Sequence, residues 1–434
     1  MIAEKGSSAV EEYAKKRWYY GWNIVIASAI LTLLTVGMRM SIGPFFLPML
    51  SDFDMTRTNL ASIVAVGMFV YGIGMPLAGY MEKRFGTRLV LLTGAFIVFC
   101  SSIGTMLSKT PTSLLFSFGI FLSLGLALTS PVALTPLVAR WFVKRRGQAL
   151  FYLTTGSMAG IAIMTPVYTV LINAFGWQQT FLIFAIVFVL FVLPTALFIV
   201  REDVPEGADE GAGAVAVRGE SRVKQQDPHP NLTVIGAMKT LPFWQISLGL
   251  FACGFSMNLL GSHGVPMLVD HGFSEMTASF GIGLIGLVAI PSTIILGKLS
   301  DRLPRKNILT VIYLIRGLGF VFLVWATFAY QLYLIALIAG FVWAGSVALS
   351  SAILADIYGV RLLGILYGWA YLSHQIAGTI SSLLGGWGYD KFNTHWVAFG
   401  SAALVLFIAS FISYQIPKKL DVKKREERQK EVLV

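Results

Sequence analysis

Charged residues are scarce in this chain, and their scarcity excludes a water-soluble fold. Only 13% of the 434 residues are charged, whereas 56% are hydrophobic, and the mean hydropathy is +0.73. A soluble domain carries about 25% charged residues, which cover its water-facing surface. Because lipid accepts an apolar surface that water does not, the composition predicts a protein embedded in a bilayer.

Several motifs are also missing. Two cysteines are too few for a disulfide framework, and no cluster has the spacing of a zinc or iron–sulfur site, so we expect no metal and no cofactor. No G-x-x-x-x-G-K-[ST] loop is present, which argues against ATP as the energy source. No pair of acids converges within an apolar run, so an enzyme is not expected.

Apolar runs are what the sequence has in abundance. A spanning helix needs about 20 mostly apolar residues, and twelve runs meet that requirement, six on each side of a polar linker at 201–243. The predicted spans are 19–48, 58–80, 88–107, 113–138, 148–173, 178–200, 244–268, 277–299, 307–328, 331–355, 362–386 and 395–416. The first run is long enough for a tilted or broken helix, with Pro44 and Pro48 in its outer end.

The chain is therefore predicted to be an all-α membrane protein with five parts. They are an N-terminal tail (1–18), a six-helix bundle (19–200), the linker (201–243), a second six-helix bundle (244–416) and a C-terminal tail (417–434).

The distribution of Lys and Arg predicts the orientation. With both termini placed inside, 28 of the 33 basic residues fall in the tails and cytoplasmic loops, and only Arg57, Lys109 and Lys391 fall outside. The remaining two, Arg39 and Arg316, lie within spans. Basic residues concentrate on the cytoplasmic side of membrane proteins. We expect a multi-pass inner-membrane protein with cytoplasmic termini, and the same clustering argues against a nucleic-acid partner.

The two halves repeat a short loop. GYMEKRFGTR follows the second span and GKLSDRLPRK follows the eighth, at the same place in each half. Basic loops are ordinary in membrane proteins, but the shared glycine, spacing and arginine cluster favour a duplication. A parallel repeat of this kind predicts a pseudo-two-fold axis along the membrane normal.

At these loops the chain resembles the major facilitator superfamily, whose signature is a glycine, an acid four residues on, an arginine, a glycine and further basic residues. The second copy fits through Gly297 and Asp301, with Pro304 in place of the later glycine, whereas in the first copy Lys83 holds the acid's place and Glu82 stands one position early. In the family these loops latch the cytoplasmic side. The resemblance implies a gate of Gly79, Arg84, Gly86, Arg88, Gly297, Asp301, Arg302 and Arg305.

Finer motifs are similar to the bacterial monocarboxylate and oxalate/formate-type branch. They are YYGWNIV, RMSIGPFFLP, ARWFVKRRGQAL, FGWQQTF and HQIAG. Carriers of monocarboxylates usually have an Asp and Arg pair in span eight, where this chain has Gly286 and Ile290. The resemblance thus implies a transporter that works by alternating access, but it does not carry over a substrate.

Arg39 is the first candidate for substrate binding. It shares a helical face with Ser28, Thr32 and Thr35, and a stripe of hydroxyls that ends in a guanidinium fits the wall of a wet cavity. No acid lies in the middle of any span to neutralise it, so the missing counter-charge is predicted to be a substrate carboxylate. The alternative is an arginine that snorkels to the outer surface. Tyr71 is a further candidate in the second span.

Span eleven carries the second group of candidates. His374 lies twelve residues into the predicted span, about 18 Å deep at 1.5 Å per residue, with Tyr367 and Tyr371 on its face and Gln375 adjacent. These groups can orient a small anion, and an imidazole that titrates near physiological pH can couple transport to a proton. The alternative is a histidine that only bonds neighbouring helices.

Asn258 and His263 in span seven complete the predicted site. They lie toward the outer half of the span, where they suggest a cavity wall, and His263 is a second candidate for proton coupling. Arg316, in the ninth span, has two interpretations: a transport role, or an arginine that holds helices together.

Taken together, the sequence predicts a monomeric secondary transporter that moves a small organic anion, a monocarboxylate, across the lipid bilayer with a proton. The net charge of the central spans favours an anion, and an accompanying proton cancels the opposing membrane potential. Anion exchange and uniport remain open. The alternatives are an exporter of drug-like or other amphipathic compounds, and a membrane sensor that transports nothing.

The topology can be tested directly. Reporters fused at either terminus and in the 201–243 linker should all report a cytoplasmic location, because 28 basic residues lie on that side against three on the other. Reporters in the loops near Lys109 and Lys391 serve as the opposite control. A terminus found outside would make the number of spans odd and would contradict the two-half repeat.

Overall fold

The computed structural model describes residues 19–142, 146–202, 232–300 and 302–417, and within these ranges the chain is helical. The α-helices are Gly21–Met40, Gly43–Asp52, Arg57–Met106, Pro111–Leu114, Ser123–Leu128, Pro131–Trp141, Arg146–Pro194, Val234–Met238, Leu241–Asp270, Glu275–Ser300, Arg305–Trp325, Ala329–Trp343, Gly345–Tyr358, Val360–Phe392 and Trp396–Tyr414. Leu115–Leu122 and Thr195–Ile199 are π-helical.

The helices form twelve membrane spans, as the sequence predicts. In the described part of the chain, nine helical segments are long and apolar enough to cross a membrane. Two of these segments, Pro111–Trp141 and Ala329–Tyr358, each join consecutive helices of the list above. Two others contain a glycine at φ 82°, Gly86 and Gly176, and each such glycine separates two spans. Because that dihedral lies in the region that L-residues avoid, glycine is required there. Val360–Phe392 is the eleventh span, and we number the spans one to twelve along the chain.

Span one is broken, and the break positions Arg39. The helix Gly21–Met40 ends there, and Gly43–Asp52 begins after two residues, with a proline in its first turn. Proline is tolerated in a first turn because its missing N–H would have no partner there. Arg39 therefore lies in the last turn of the first helix, where the negative end of the helix dipole favours a cation.

Glycines let the spans approach each other closely. A Cβ at Gly160 in span five would lie 2.6 Å from the carbonyl oxygen of Leu33 in span one, and one at Gly254 in span seven would lie 2.0 Å from that of His374 in span eleven. Backbones can approach this closely only where no side chain intervenes. One apolar core lies in the first half, and the core of the second half also includes Val36, Met40 and Ile161 of the first half.

The contact between spans seven and eleven gives a stability prediction. Gly254→Ala should lower the melting temperature of the purified protein, because overpacking costs about 1–3 kcal/mol. Gly319→Ala is the matched control, since its Cβ would meet nothing nearer than 3.8 Å and alanine favours a helix. Equal melting temperatures for the two variants would contradict the close approach.

Candidate functional site

Arg39 lies where the two halves meet. Its Nη2 donates to Oδ1 of Asn258 in span seven at 3.0 Å and to Oε1 of Gln375 in span eleven at 3.1 Å. The guanidinium carbon lies 4.2 Å from the centre of the Tyr71 ring in span two. The structure thus brings Arg39 together with three other predicted residues, each from a different span.

The charge of Arg39 is solvated by neutral groups. Within the described residues, no ion pair includes Arg39, and its Nε has no hydrogen-bond partner. Asn258 is held in place because its Nδ2 donates to the carbonyl of Gly254 at 2.8 Å, and the Nε2 of Gln375 faces the sulfur of Met75 at 3.4 Å. A guanidinium with neutral partners keeps its capacity to bind an anion through two parallel hydrogen bonds.

A small apolar pocket adjoins the guanidinium. Arg39 and Tyr71 form its polar edge. Its remaining wall consists of Met38, Ile42, Val64, Gly67, Met68, Phe118, Leu122, Ser123 and Leu126. Its volume is about 30 Å³, which is room for a very small apolar group beside a charged head.

In this structure the hydroxyl stripe next to Arg39 is buried and does not line a cavity. Ser28 is 2% exposed, and Thr32 and Thr35 are 0% exposed. The hydroxyl of Thr35 donates to the carbonyl oxygen of Thr129 at 3.3 Å. Span four is interrupted at Thr129, so its carbonyl needs a partner from outside the helix, and the structure uses Thr35 for that bond rather than for a ligand.

The predicted aromatic group in span eleven does assemble. The Tyr367 and Tyr371 ring centres lie 5.7 Å apart, and the Tyr371 and His374 rings stack at 4.7 Å. His374 is only 1% exposed. The structure stacks it on Tyr371 and does not join it to Arg39.

His263 has the contacts of a packing residue. Its Nε2–H donates to the carbonyl oxygen of Ser382 in span eleven at 2.9 Å, and its ring lies 4.8 Å from that of Phe46. With 2% of its surface exposed, the imidazole bonds two helices together. The structure does not join it to Arg39.

The first-half gate residues contact their own half. Lys83 occupies the position where the family has an acid, but the buried and paired acid here is its neighbour Glu82. It accepts hydrogen bonds from Arg140 of span four and from Thr87, the latter at 3.1 Å. Arg84 donates to the hydroxyl of Tyr80 at 3.2 Å. The backbone N–H of Arg88, two residues after Gly86, donates to Glu202 at 3.1 Å.

The second-half gate residues behave in the same way. Arg305 pairs with Asp356 of span ten at 2.6 Å. Arg302 is exposed, a Cβ at Gly297 would meet nothing within 4 Å, and Asp301 lies outside the described residues. Within the described residues, no hydrogen bond or ion pair joins the two predicted gate loops to each other.

A group at the opposite end of the bundle was not predicted. Arg57 of span two makes two hydrogen bonds with Asp270 of span seven, at 2.6 and 2.9 Å. His395 donates to the same carboxylate at 2.8 Å. Asp390 accepts from the backbone N–H and hydroxyl of Thr58, each at 2.6 Å. These residues, the outer cluster, join the halves at the end that the charge distribution places outside. The sequence does carry a signal for this cluster, because its opposite charges lie at the ends of spans in different halves.

The structure also explains why span eight has a glycine, Gly286, where related carriers have a charged residue. A Cβ at Gly286 would lie 2.7 Å from the backbone nitrogen of Ala162 and from the carbonyl oxygen of Met158, both in span five. Any side chain there would force the halves apart. In this packing the charge at the site comes from span one instead.

Twelve spans in two halves around a shared cationic site are the architecture of a polytopic membrane transporter. The profile described as Major Facilitator Superfamily matches residues 28–349 and 317–434. The chain belongs to the major facilitator superfamily.

Relatives and solved structures agree with this family. An MFS-type transporter of Bacillus subtilis, YcxA, is 26% identical over 94% of this chain and 97% of its own length. Monocarboxylate transporter 12-B of Danio rerio is 25% identical over 92% and 87%. The inward-facing, unoccupied structure of a bacterial homologue of the human lysosomal transporter Spinster superposes with a TM-score of 0.70 at 16% identity, over 92% of this chain and 98% of that one.

The outer cluster gives a prediction about conformation. Asp270→Asn should weaken the closed outer end, because it removes charged hydrogen bonds worth about 1.5–3 kcal/mol, equivalent to at least about tenfold in population. Spin labels at Lys109→Cys and Glu275→Cys, in a Cys100→Ser background, should then show more of the longer distances.

Asp52→Asn is the matched control for that measurement. Asp52 accepts hydrogen bonds from Trp177 and Gln178 at the same end, but all three residues belong to the first half. Its removal should leave the label distances unchanged. Identical distance distributions for Asp270→Asn and the unsubstituted chain would show that the outer cluster does not hold the halves together.

Proposed function

We propose that this transporter moves a small organic anion, a monocarboxylate, together with a proton, by alternating access. The observation that supports it best is the guanidinium of Arg39, which lies between the halves with neutral partners. A buried charge of this kind is costly in a membrane and is a functional candidate by default. A substrate carboxylate supplies the counter-charge that the described side chains around it do not.

The neighbours of Arg39 favour a small substrate with an apolar part. The Tyr71 ring covers one face of the guanidinium, and the apolar pocket lies directly beside both residues. A carboxylate can pair with the guanidinium while a short aliphatic group occupies the pocket. The zebrafish relative that is named a monocarboxylate transporter, and others of that name, support the same class of substrate.

The contacts of Arg39 also suggest how binding is linked to movement. Asn258 and Gln375 both belong to the second half. A carboxylate that takes the Nη2 hydrogens for itself removes the two bonds that Arg39 makes across the interface. Substrate binding would thereby weaken the contact between the halves at the site. The halves could then separate at the outer cluster without also having to break those two bonds.

A proton is proposed as the co-substrate because of the charge to be moved. An anion that enters a cell with a negative interior works against about 2.3 kcal/mol per charge for each 100 mV. An accompanying proton cancels that term. His374 is the proposed carrier, since it is an imidazole one aromatic ring away from the anion site.

The substrate class is tested at Arg39. Arg39→Gln should lower the affinity for acetate, propionate and lactate by about 10- to 150-fold, because a charged hydrogen bond is worth about 1.5–3 kcal/mol. Arg39→Lys should retain part of the affinity, since it keeps the charge and loses the planar fork. The measurement is calorimetric binding to the purified protein, with propionamide as the neutral control ligand.

Lys109→Gln is the control variant, because it removes an exposed positive charge far along the chain from the site and should leave affinity unchanged. Full affinity for all three acids in Arg39→Gln would falsify the carboxylate role of Arg39. A neutral or cationic substrate would then be the better hypothesis.

A further inference from the structure

A second buried arginine, Arg316 of span nine, lies inside the second half. Its exposure is 0%. Its Nη1 donates to the sulfur of Cys253 in span seven at 3.3 Å, and its Nη2 donates to the carbonyl oxygens of Val342, at 3.2 Å, and Trp343. The guanidinium carbon lies 4.7 Å from the centre of the Trp343 ring. Its Nε has no partner.

Arg316 needs an anion more than Arg39 does. A guanidinium stays protonated in proteins, and a fully buried charge without a counter-charge costs several kcal/mol. Among the described side chains, no carboxylate pairs with Arg316. The ionisable group in hydrogen-bond contact with it is the thiol of Cys253, which becomes a thiolate when it loses its proton.

Cys253 also has a proton acceptor beside it. His374 lies against the residue that follows Cys253, since a Cβ at Gly254 would be 2.0 Å from the carbonyl oxygen of His374, and the imidazole is 1% exposed. Ser346 lies 3.1 Å from the sulfur and can donate to it. The other titratable groups around Cys253 are phenols, those of Tyr313 in span nine and of Tyr367 and Tyr371 in span eleven.

We propose that Cys253 and His374 form one proton-binding site, with Arg316 as its fixed positive charge. The proton leaves the sulfur of Cys253 as the S–H bond breaks, and an N–H bond forms on His374. The products are a thiolate paired with Arg316 and an imidazolium, and no electrons are exchanged. Thiolates are favoured next to arginine and protonated histidine.

This site lies one ring away from the anion site. His374 stacks on Tyr371, and the residue after it, Gln375, accepts a hydrogen bond from Arg39 at 3.1 Å. A proton on the Cys253–His374 pair can therefore influence the anion site along span eleven. This consequence for transport rests on the proposed function, whereas the ionisation of Cys253 does not.

The ionisation is tested on the purified protein without substrate. In a Cys100→Ser background, the ultraviolet absorbance of the thiolate is followed against pH, with Cys100→Ser/Cys253→Ser as the blank. We expect one thiolate that titrates with a midpoint below about 7.5, compared with about 8.5 for a free thiol. Cys253→Ala replaces the blank if the serine variant does not fold.

A second variant separates the histidine from the arginine. His374→Gln should raise the midpoint, because the thiolate loses a neighbouring imidazolium. A midpoint at or above about 8.5, or a midpoint that His374→Gln leaves unchanged, would overturn the proposal. Cys253→Ser should also flatten the pH dependence of anion uptake between about pH 5 and 8, and an unaltered profile with normal uptake would remove Cys253 from coupling.

Failure of the two proposals can be told apart. Arg39→Gln, made in the Cys100→Ser background, removes the anion site but leaves Cys253, Arg316 and His374 in place, so a thiolate should still titrate with a midpoint below about 7.5. A lost carboxylate preference with an intact thiolate signal would contradict the proposed function only. A normal carboxylate affinity with no thiolate would contradict the proton site only.

Discussion

The guanidinium of Arg39, held between the halves by two amide oxygens, is the interaction on which the central site depends. A charge at this depth must be solvated by the protein, and Asn258 and Gln375 do so without neutralising it. The break in span one places the arginine at a helix end, where the dipole also stabilises it. The result is a positive site between the halves, and we propose that an anion binds there.

The remaining charges follow from the cost of placing ions in hydrocarbon. Acids and their partners lie at span ends, where the outer cluster joins the halves through Arg57 and Asp270. At the other end the pairs of Glu82 with Arg140 and of Arg305 with Asp356 each stay within one half. Among the described residues, charged bonds therefore cross the interface at one end, whereas these two pairs at the other end do not.

Arg316 solves the same physical problem differently. It is packed in the core of one half, where carbonyl oxygens, an indole ring and a thiol surround it. Only the thiol among these groups can become negative. In the proposed proton site, the charge of Arg316 therefore favours loss of the thiol proton. Glycine packing brings this group close to the anion site, since Gly254 allows spans seven and eleven to touch next to both Cys253 and His374.

The sequence by itself determined the twelve spans, the two halves and the family, because length, hydropathy and the repeated loop are local properties that the bilayer constrains strongly. It also singled out Arg39, since a charge in an apolar run is visible without a structure. The tertiary structure decided the partners. It showed that Thr35 is used to cap a break in span four, that His263 bonds to Ser382, and that Arg57 meets Asp270 across the halves. These contacts join residues more than 90 positions apart, and helical periodicity carries no information about which face of one span meets which face of another.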